Sequence, residues 1–420
     1  MTYIEIGERF IFYSHKIFYD YKIVMNMIRV VLLGQGMVAM NLLIGLERLK
    51  RREIKPYGIP LANIDLGIDF RDINIVGSYD VDKNKIGKNI FDIALRNFNE
   101  NVIPSSLRKI VVRKGIHLGN LNRLNIDAVG LEDDMSLSNA IDFLVEEWEK
   151  LRPDVLVNII TTEKPIFIKN FEELEKDVIY NKKNRVNASY AYIYAAIKYA
   201  SQIKPIAFIN AIPSPLANTP WIVNKCLRND VVLFGDDGAT GATPLTADIL
   251  EHIAERNRRI KGIVQFNIGG NMDFYALTDE DKNRSKEYTK SSIVEDILGY
   301  SVPTYIKPTG FLESLGDKKF VSMHIEYESF NGFSDEIIIN ARINDSPALA
   351  GLLVDLIKLG YIALENDIYG TIYEVNAFYM KKPGPNNSKS ISKIKAYQKL
   401  LEWINNLRPE RIKLGIKADI

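Results

Sequence analysis

Five short runs rich in valine and isoleucine, at 28–33, 73–78, 154–160, 205–210 and 231–234, alternate with longer stretches whose apolar residues recur at three- and four-residue spacing. No other feature restricts the fold as much. Near-continuous apolar runs of this length suit strands buried on both faces, and the helical period between them supplies the layers that cover those faces. The spacing predicts helices over 37–51, 136–151 and 187–201. This part of the chain therefore reads as α/β, with a doubly wound parallel sheet.

After Thr243-Pro244, a capping residue followed by a proline suited to the first helical turn, the pattern changes. Strand-like runs at 262–267, 320–329 and 336–341 lie closer together, and the last two alternate as an antiparallel sheet with one solvated face does. Asp345-Ser346-Pro347 opens a long apolar helix to about residue 364, read as a return to the first domain. The expected division is an extension over 1–24, a first domain over 25–242, an inserted α+β domain over 243–345 and the return over 346–420.

The 54 Lys+Arg and 53 Asp+Glu residues leave a net charge of +1, so no global field draws the chain to nucleic acid or to an anionic membrane surface. Any anion site must be local. No run reaches the roughly 18 consecutive apolar residues of a membrane span. The single cysteine, Cys226, excludes an internal disulfide, suits the cytoplasm and is expected to be core packing. Residues 1–24 carry charges throughout and do not read as a secretory signal; Met25 and Met27, just before the first strand, are candidate translation starts.

Gly34-Gln35-Gly36-Met37-Val38-Ala39 follows the first strand run and opens a helix. Two glycines allow a tight turn and close approach of a pyrophosphate, alanine at the third place permits helix–strand packing, and the helix N-terminus meets the anion. This Rossmann-like signal makes Gly34, Gln35, Gly36, Met37 and Val38 dinucleotide-binding candidates. An acid is expected after the second strand to accept from the ribose hydroxyls. Asp80 stands there and Asp82 is the fallback, with the loop over 58–70 lengthening the usual interval. Such an acid favours NAD over its 2′-phosphorylated form.

A second glycine-rich stretch, Gly235 to Thr243, stands at the end of the last strand run, where ligands of doubly wound sheets bind. Lys286 and Lys290 share a helix face at i and i+4, an arrangement that holds an oxyanion between two ammonium groups or else is solvated. His15, His117, His252 and His324 form no spaced cluster and are expected to be structural, and no spacing of ligands specifies a metal.

Six blocks in order, GDDGATGATPLTADIL from Gly235, NIGGNMDF from Asn267, RSKEYTKSS from Arg284, GDKK from Gly316, NDS from Asn344 and FYMKKP from Phe378, make the chain resemble the inositol-1-phosphate synthase family from about residue 28 to 383. The resemblance implies an NAD-dependent isomerase-cyclase acting on glucose 6-phosphate, homotetrameric through the inserted domain, with any mono- or divalent cation left unspecified. Lys286, Lys290, Lys319 and Lys381 match the family's active-site lysines. Asp237 and Thr240 match residues facing the nicotinamide. Asn271 matches a cofactor-contacting asparagine, and Asp273, Gly316, Asp317 and Asp345 fall in blocks near cofactor and substrate. Met37 stands where the family often has asparagine, and Ile268 and Met272 replace common polar residues. A plain dehydrogenase of a small hydroxy acid or sugar phosphate, and a non-catalytic dinucleotide sensor, are the alternatives that the residues alone leave open.

Overall fold

The computed structural model describes residues 27–119, 121, 126–279 and 293–407. The N-terminal extension, Lys286 and Lys290 lie outside the described residues. The strands are β1 (Ile28–Leu33), β2 (Ile73–Asp80), β3 (Val112–Lys114), β4 (Val155–Asn158), β5 (Ile206–Asn210), β6 (Val231–Phe234), β7 (Arg259–Gly269), β8 (Thr304–Phe311), β9 (Lys318–Glu328) and β10 (Ser334–Asn344). The helices that position the site are α1 (Met37–Lys50), α2 (Leu137–Leu151), α3 (Ala188–Gln202), α4 (Ala242–Ala254), α5 (Met272–Ala276), α6 (Asp345–Glu365), α7 (Tyr373–Tyr379) and α8 (Lys393–Leu407).

The first six strands form one parallel sheet in the order β3-β2-β1-β4-β5-β6, the doubly wound order of a dinucleotide-binding fold. Alternate residues feed opposite layers. Ile28, Val30 and Leu32 pack with Leu42, Leu43 and Leu46 of α1 and Leu353, Leu356 and Ile357 of α6. Val31 and Leu33 pack on the other face with Ile141, Leu144 and Trp148 of α2 and Tyr199 of α3. Each such leucine, removed from water, contributes on the order of 2 kcal/mol. Ser136 Oγ accepts from Asn139 N at 3.2 Å to start α2, and Asn187 Oδ1 accepts from Tyr190 N at 2.9 Å to start α3.

By length and composition α6 could cross a membrane, yet it is a core helix, with 61% of its apolar window buried. It is apolar nearly all round because sheet and α1 both cover it. Its two buried charges are spent on the long loop after α1. Asp355 Oδ2 accepts from Leu61 N at 2.9 Å and from Tyr379 Oη at 2.8 Å, and Lys358 Nζ donates to Ile68 O at 3.0 Å. The loop that separates the glycines from Asp80 is thus packing against α6.

The second sheet runs β10-β9-β7-β8, antiparallel except for the β7/β8 pair. One face packs on Ala247, Leu250 and Ile253 of α4, while Phe266, Tyr305 and Ile338 stand exposed on the other side. Neither β3, only three residues long, nor β8, which contains Pro308 and Gly310, announced itself as a strand. The helix after the second glycine-rich stretch starts at Ala242 with Gly241 as its N-cap, two residues earlier than a cap at Thr243 implies. Pro244 then falls in the first turn, where a missing N–H costs nothing.

Candidate active site

A cavity of about 490 Å³ opens at the carboxyl ends of β1, β4 and β5, where the strand order reverses, and reaches across to the first residues of α5 and α6. One wall is the first glycine-rich loop. Gly34 adopts φ +103°, and a Cβ there would lie 2.7 Å from Ile159 O, so only glycine lets β1 turn against the end of β4. Gly36 is the N-cap of α1, has no side-chain cap, and an added Cβ would meet nothing within 4 Å. No side chain caps the first turn of α1 and the space beside Gly36 is open, an arrangement that fits a pyrophosphate. Met37 and Val38 line the cavity. Gln35 does so as well, but its side chain is turned inward: Nε2 lies 3.3 Å from Met40 Sδ, and Oε1 accepts from Ser78 Oγ at 2.5 Å.

Asp80 stands at the end of β2. Its Oδ2 accepts from Gln35 N at 2.8 Å and from Lys85 Nζ at 3.1 Å, and its Oδ1 from Val81 N and Asp82 N at 2.8 and 2.9 Å. The carboxylate therefore ties the glycine loop to β2. Asp82 and Lys85 line the same end of the cavity, with Lys85 Nζ 3.9 Å from Asp82 Oδ2.

The opposite wall carries two lysines, each beside a carboxylate. Lys381 Nζ donates to Asp237 Oδ1 at 2.8 Å, with both side chains no more than 4% exposed. Lys319 Nζ lies 3.6 Å from Asp345 Oδ2 and 5.2 Å from the Phe274 ring, and Thr240 Oγ1 donates to Asp345 Oδ1 at 3.1 Å. Gly241, at φ +68°, passes so close that an added Cβ would lie 2.8 Å from Lys319 Nζ. Between the walls, Thr162 Oγ1 donates to Asp273 Oδ1 at 2.7 Å, and Asn271 caps α5 by accepting from Phe274 N at 3.1 Å. In this dry setting each ammonium acts on nearby charge far more strongly than in water.

The fold thus brings Gly34, Gln35, Gly36, Met37, Val38, Asp80, Asp237, Thr240, Asn271, Asp273, Lys319, Asp345 and Lys381 to one cavity. Gly316 and Asp317 do not line it. Gly316 backs onto Gly270, where a Cβ would come 2.6 Å from Gly316 N. Asp317 caps α6 from outside, accepting from Ser346 N at 3.0 Å and from Ser346 Oγ at 2.5 Å. The adjacent acids Asp236 and Asp237 diverge. Asp236 faces the loop after β5, accepting from the amides of Asn210 and Asn218, and burial pushes its carboxyl up to about 6.

Sequence reading did not single out Thr162, Ile212 and Pro213, although they line the cavity. Their place just beyond β4 and β5 was the available signal. Nor did it single out Glu163, whose buried carboxylate accepts from Ala188 N at 2.8 Å and Ser214 Oγ at 2.9 Å, holding these loops together. His117 lines the cavity, its Nε2 3.0 Å from Asp133 Oδ2. Ligand atoms of His117, Glu132 and Asp133 lie within 4.8 Å of one another. The backbone N–H groups of His117 and Leu118 donate to Glu132 Oε1 and that of Gly130 to Asp133 Oδ2, so these carboxylates brace the turn. Cys226 is buried among apolar neighbours, as expected.

A family model described as myo-inositol-1-phosphate synthase matches residues 241–346. The chain is similar to the inositol-3-phosphate synthase of Corynebacterium glutamicum, 27% identical over 370 residues that cover 85% of this chain and 93% of that one. It is also similar to that of Mycobacterium tuberculosis (strain CDC 1551 / Oshkosh), 25% identical over 364 residues covering 85% and 91%. Among solved structures, a myo-inositol-1-phosphate synthase-related protein from Thermotoga maritima MSB8 is 54% identical, with a TM-score of 0.85 and coverage of 90% of this chain and 98% of that one. Inositol-3-phosphate synthase from Caenorhabditis elegans shares the fold at 16% identity, with a TM-score of 0.77 and coverage of 91% and 86%.

Proposed function

The chain belongs to the myo-inositol-1-phosphate synthase family, and on that premise we propose that it converts D-glucose 6-phosphate to 1L-myo-inositol 1-phosphate with NAD as a regenerated cofactor. The observation that carries this reading is the meeting, in one cavity, of an open helix N-terminus behind Gly36 and the buried lysines Lys319 and Lys381. A sensor has no need of the lysines, and a plain dehydrogenase usually needs a single acid–base group.

When bound, NAD would supply a reversible hydride acceptor for carbon 5. The residues handle the charge that this exposes. With carbon 5 a ketone, loss of a proton from carbon 6 makes an enolate, and closure onto carbon 1 makes an alkoxide. Lys286 is assigned to the oxygen on carbon 5 and Lys381 to the oxygen on carbon 1, with Lys290 and Lys319 on the phosphate or sharing those oxygens. A fixed donor in a water-poor site stabilises such an oxyanion by about 3–4 kcal/mol. Asp237, beside Lys381, aims that side chain. The substrate's own phosphate serves as the base at carbon 6. Asp80 accepts from the ribose, and the first turn of α1 holds the pyrophosphate.

The test is turnover of glucose 6-phosphate carrying deuterium at carbon 5, with substoichiometric NAD. The expected result is labelled inositol phosphate with no net growth of the reduced-nicotinamide absorbance. Stoichiometric reduction of NAD, or loss of the label to a separate cofactor pool, would make the protein a dehydrogenase.

A further inference from the structure

The reaction scheme makes no use of Lys393, the first residue of α8. Its side chain is buried, and its ammonium donates to Ala377 O at 2.6 Å and to Met380 O at 2.9 Å. These carbonyls belong to the end of α7, where unsatisfied acceptors gather and a cation is favoured. Met380 is joined directly to Lys381.

The segment bearing Lys381 is held from two sides. On the cavity side it pairs with the second glycine-rich loop: Ala239 N donates to Tyr379 O at 2.8 Å, Lys381 N to Asp237 O at 2.7 Å and Asp236 N to Lys382 O at 2.8 Å. Behind it stands Lys393. Lys393 is itself anchored, because its backbone N donates at 2.7 Å to Asp248 Oδ1 on α4, the helix that begins just after Thr240. One buried residue thus links α4, through its backbone N–H, to the end of α7 and the backbone that aims Lys381, through its side chain.

We propose that Lys393 is a positioning residue for Lys381, setting the place of its ammonium in the cavity by bonding the carbonyls of Ala377 and Met380. The inference rests on the cyclase reading above. Burial pushes the Lys393 ammonium down to about 7, with Asp248 opposing and the neighbouring Lys381 adding to the shift. The two lysines therefore also sense each other's charge.

Because Lys381 is assigned to ring closure and not to oxidation at carbon 5, displacing it should slow the late step and spare the early one. The experiment compares wild type, Lys393→Met, Lys393→Gln and Lys381→Ala, each loaded with NAD and mixed rapidly with glucose 6-phosphate while reduced nicotinamide is followed by absorbance. A misplacement near 1 Å costs roughly 100-fold. Lys393→Met should therefore lose about 10- to 100-fold in kcat, with KM and NAD affinity changed less than about threefold, and should accumulate reduced cofactor as Lys381→Ala does. Lys393→Gln, which keeps a donor for one carbonyl, should fall between the two and is the variant to read if Lys393→Met does not fold. A merely structural role would lower the melting temperature without building up reduced cofactor. Wild-type kcat in Lys393→Met, or slow turnover with a flat trace while Lys381→Ala accumulates reduced cofactor, overturns the proposal and leaves the cyclase reading standing. A flat trace in Lys381→Ala itself overturns the late-step role of Lys381, and this proposal with it.

Discussion

Alanine at Gly36 and alanine at Gly34 should fail in different ways, although a single residue separates them in sequence. At Gly36 the backbone lies at φ −90°, open to any residue, and an added methyl meets nothing within 4 Å. The fold should lose no more than about 1 kcal/mol, the usual scale of an N-cap change. That empty space, however, is where the pyrophosphate must approach the first turn of α1, so Gly36→Ala should weaken NAD binding by roughly 100-fold, about 2.7 kcal/mol. At Gly34 the φ of +103° alone costs a non-glycine residue about 1–2 kcal/mol. The methyl would also press within 2.9 Å of Ile159 C and Ile160 N, adding overpacking of about 1–3 kcal/mol between β1 and β4. Gly34→Ala should therefore lose roughly 3 kcal/mol of stability together with binding. Urea denaturation of the cofactor-free variants gives the first quantity, and fluorescence titration with NAD gives the second. Wild-type NAD affinity in Gly36→Ala would refute the placement of the pyrophosphate over α1.

Lys381→Ala and Lys286→Ala should each lower turnover by on the order of 100-fold or more while NAD titrations stay near wild type; near-normal rates in steady-state assays would remove their oxyanion roles. The protein should prefer NAD to its 2′-phosphorylated form, and Asp80→Asn should narrow that preference by roughly tenfold, measured by titrating stripped protein with both cofactors. Equal affinity of the unaltered protein for the two would retire Asp80 as the ribose ligand. Burial pushes the Asp355 carboxyl from 3.8 up to about 6, against the pull of Leu61 N, Tyr379 Oη and Lys358. A raised carboxyl stabilises the fold below its unfolded value and loses that contribution as pH rises through about 6. Relative to Asp355→Asn, the wild type should lose roughly 3 kcal/mol between about pH 4 and pH 7, read from denaturation midpoints across that range. A constant difference would show that Asp355 does not titrate there.

What was legible from the sequence were features written within a turn or two of chain. The five apolar strands, the glycine turn after β1, the helices expected over 136–151 and 187–201, and the long apolar helix opened by Asp345-Ser346-Pro347 depend on local periodicity and backbone preference, and each appears within a residue or two of its expected place. Quoted motifs also pointed to residues that the fold collects. Only the tertiary structure decided which of them meet. Lys381 reaches Asp237 across 144 residues, Thr240 reaches Asp345 across 105 and Thr162 reaches Asp273 across 111, and no local pattern encodes contacts of that range. The same packing removed Asp317 from the cavity to cap α6 and turned the Gln35 side chain inward to Ser78. It also set Lys393 behind Lys381. A short motif specifies the turn its backbone makes, but where its side chains point is settled by which distant elements bury them, and that is a property of the whole folded chain.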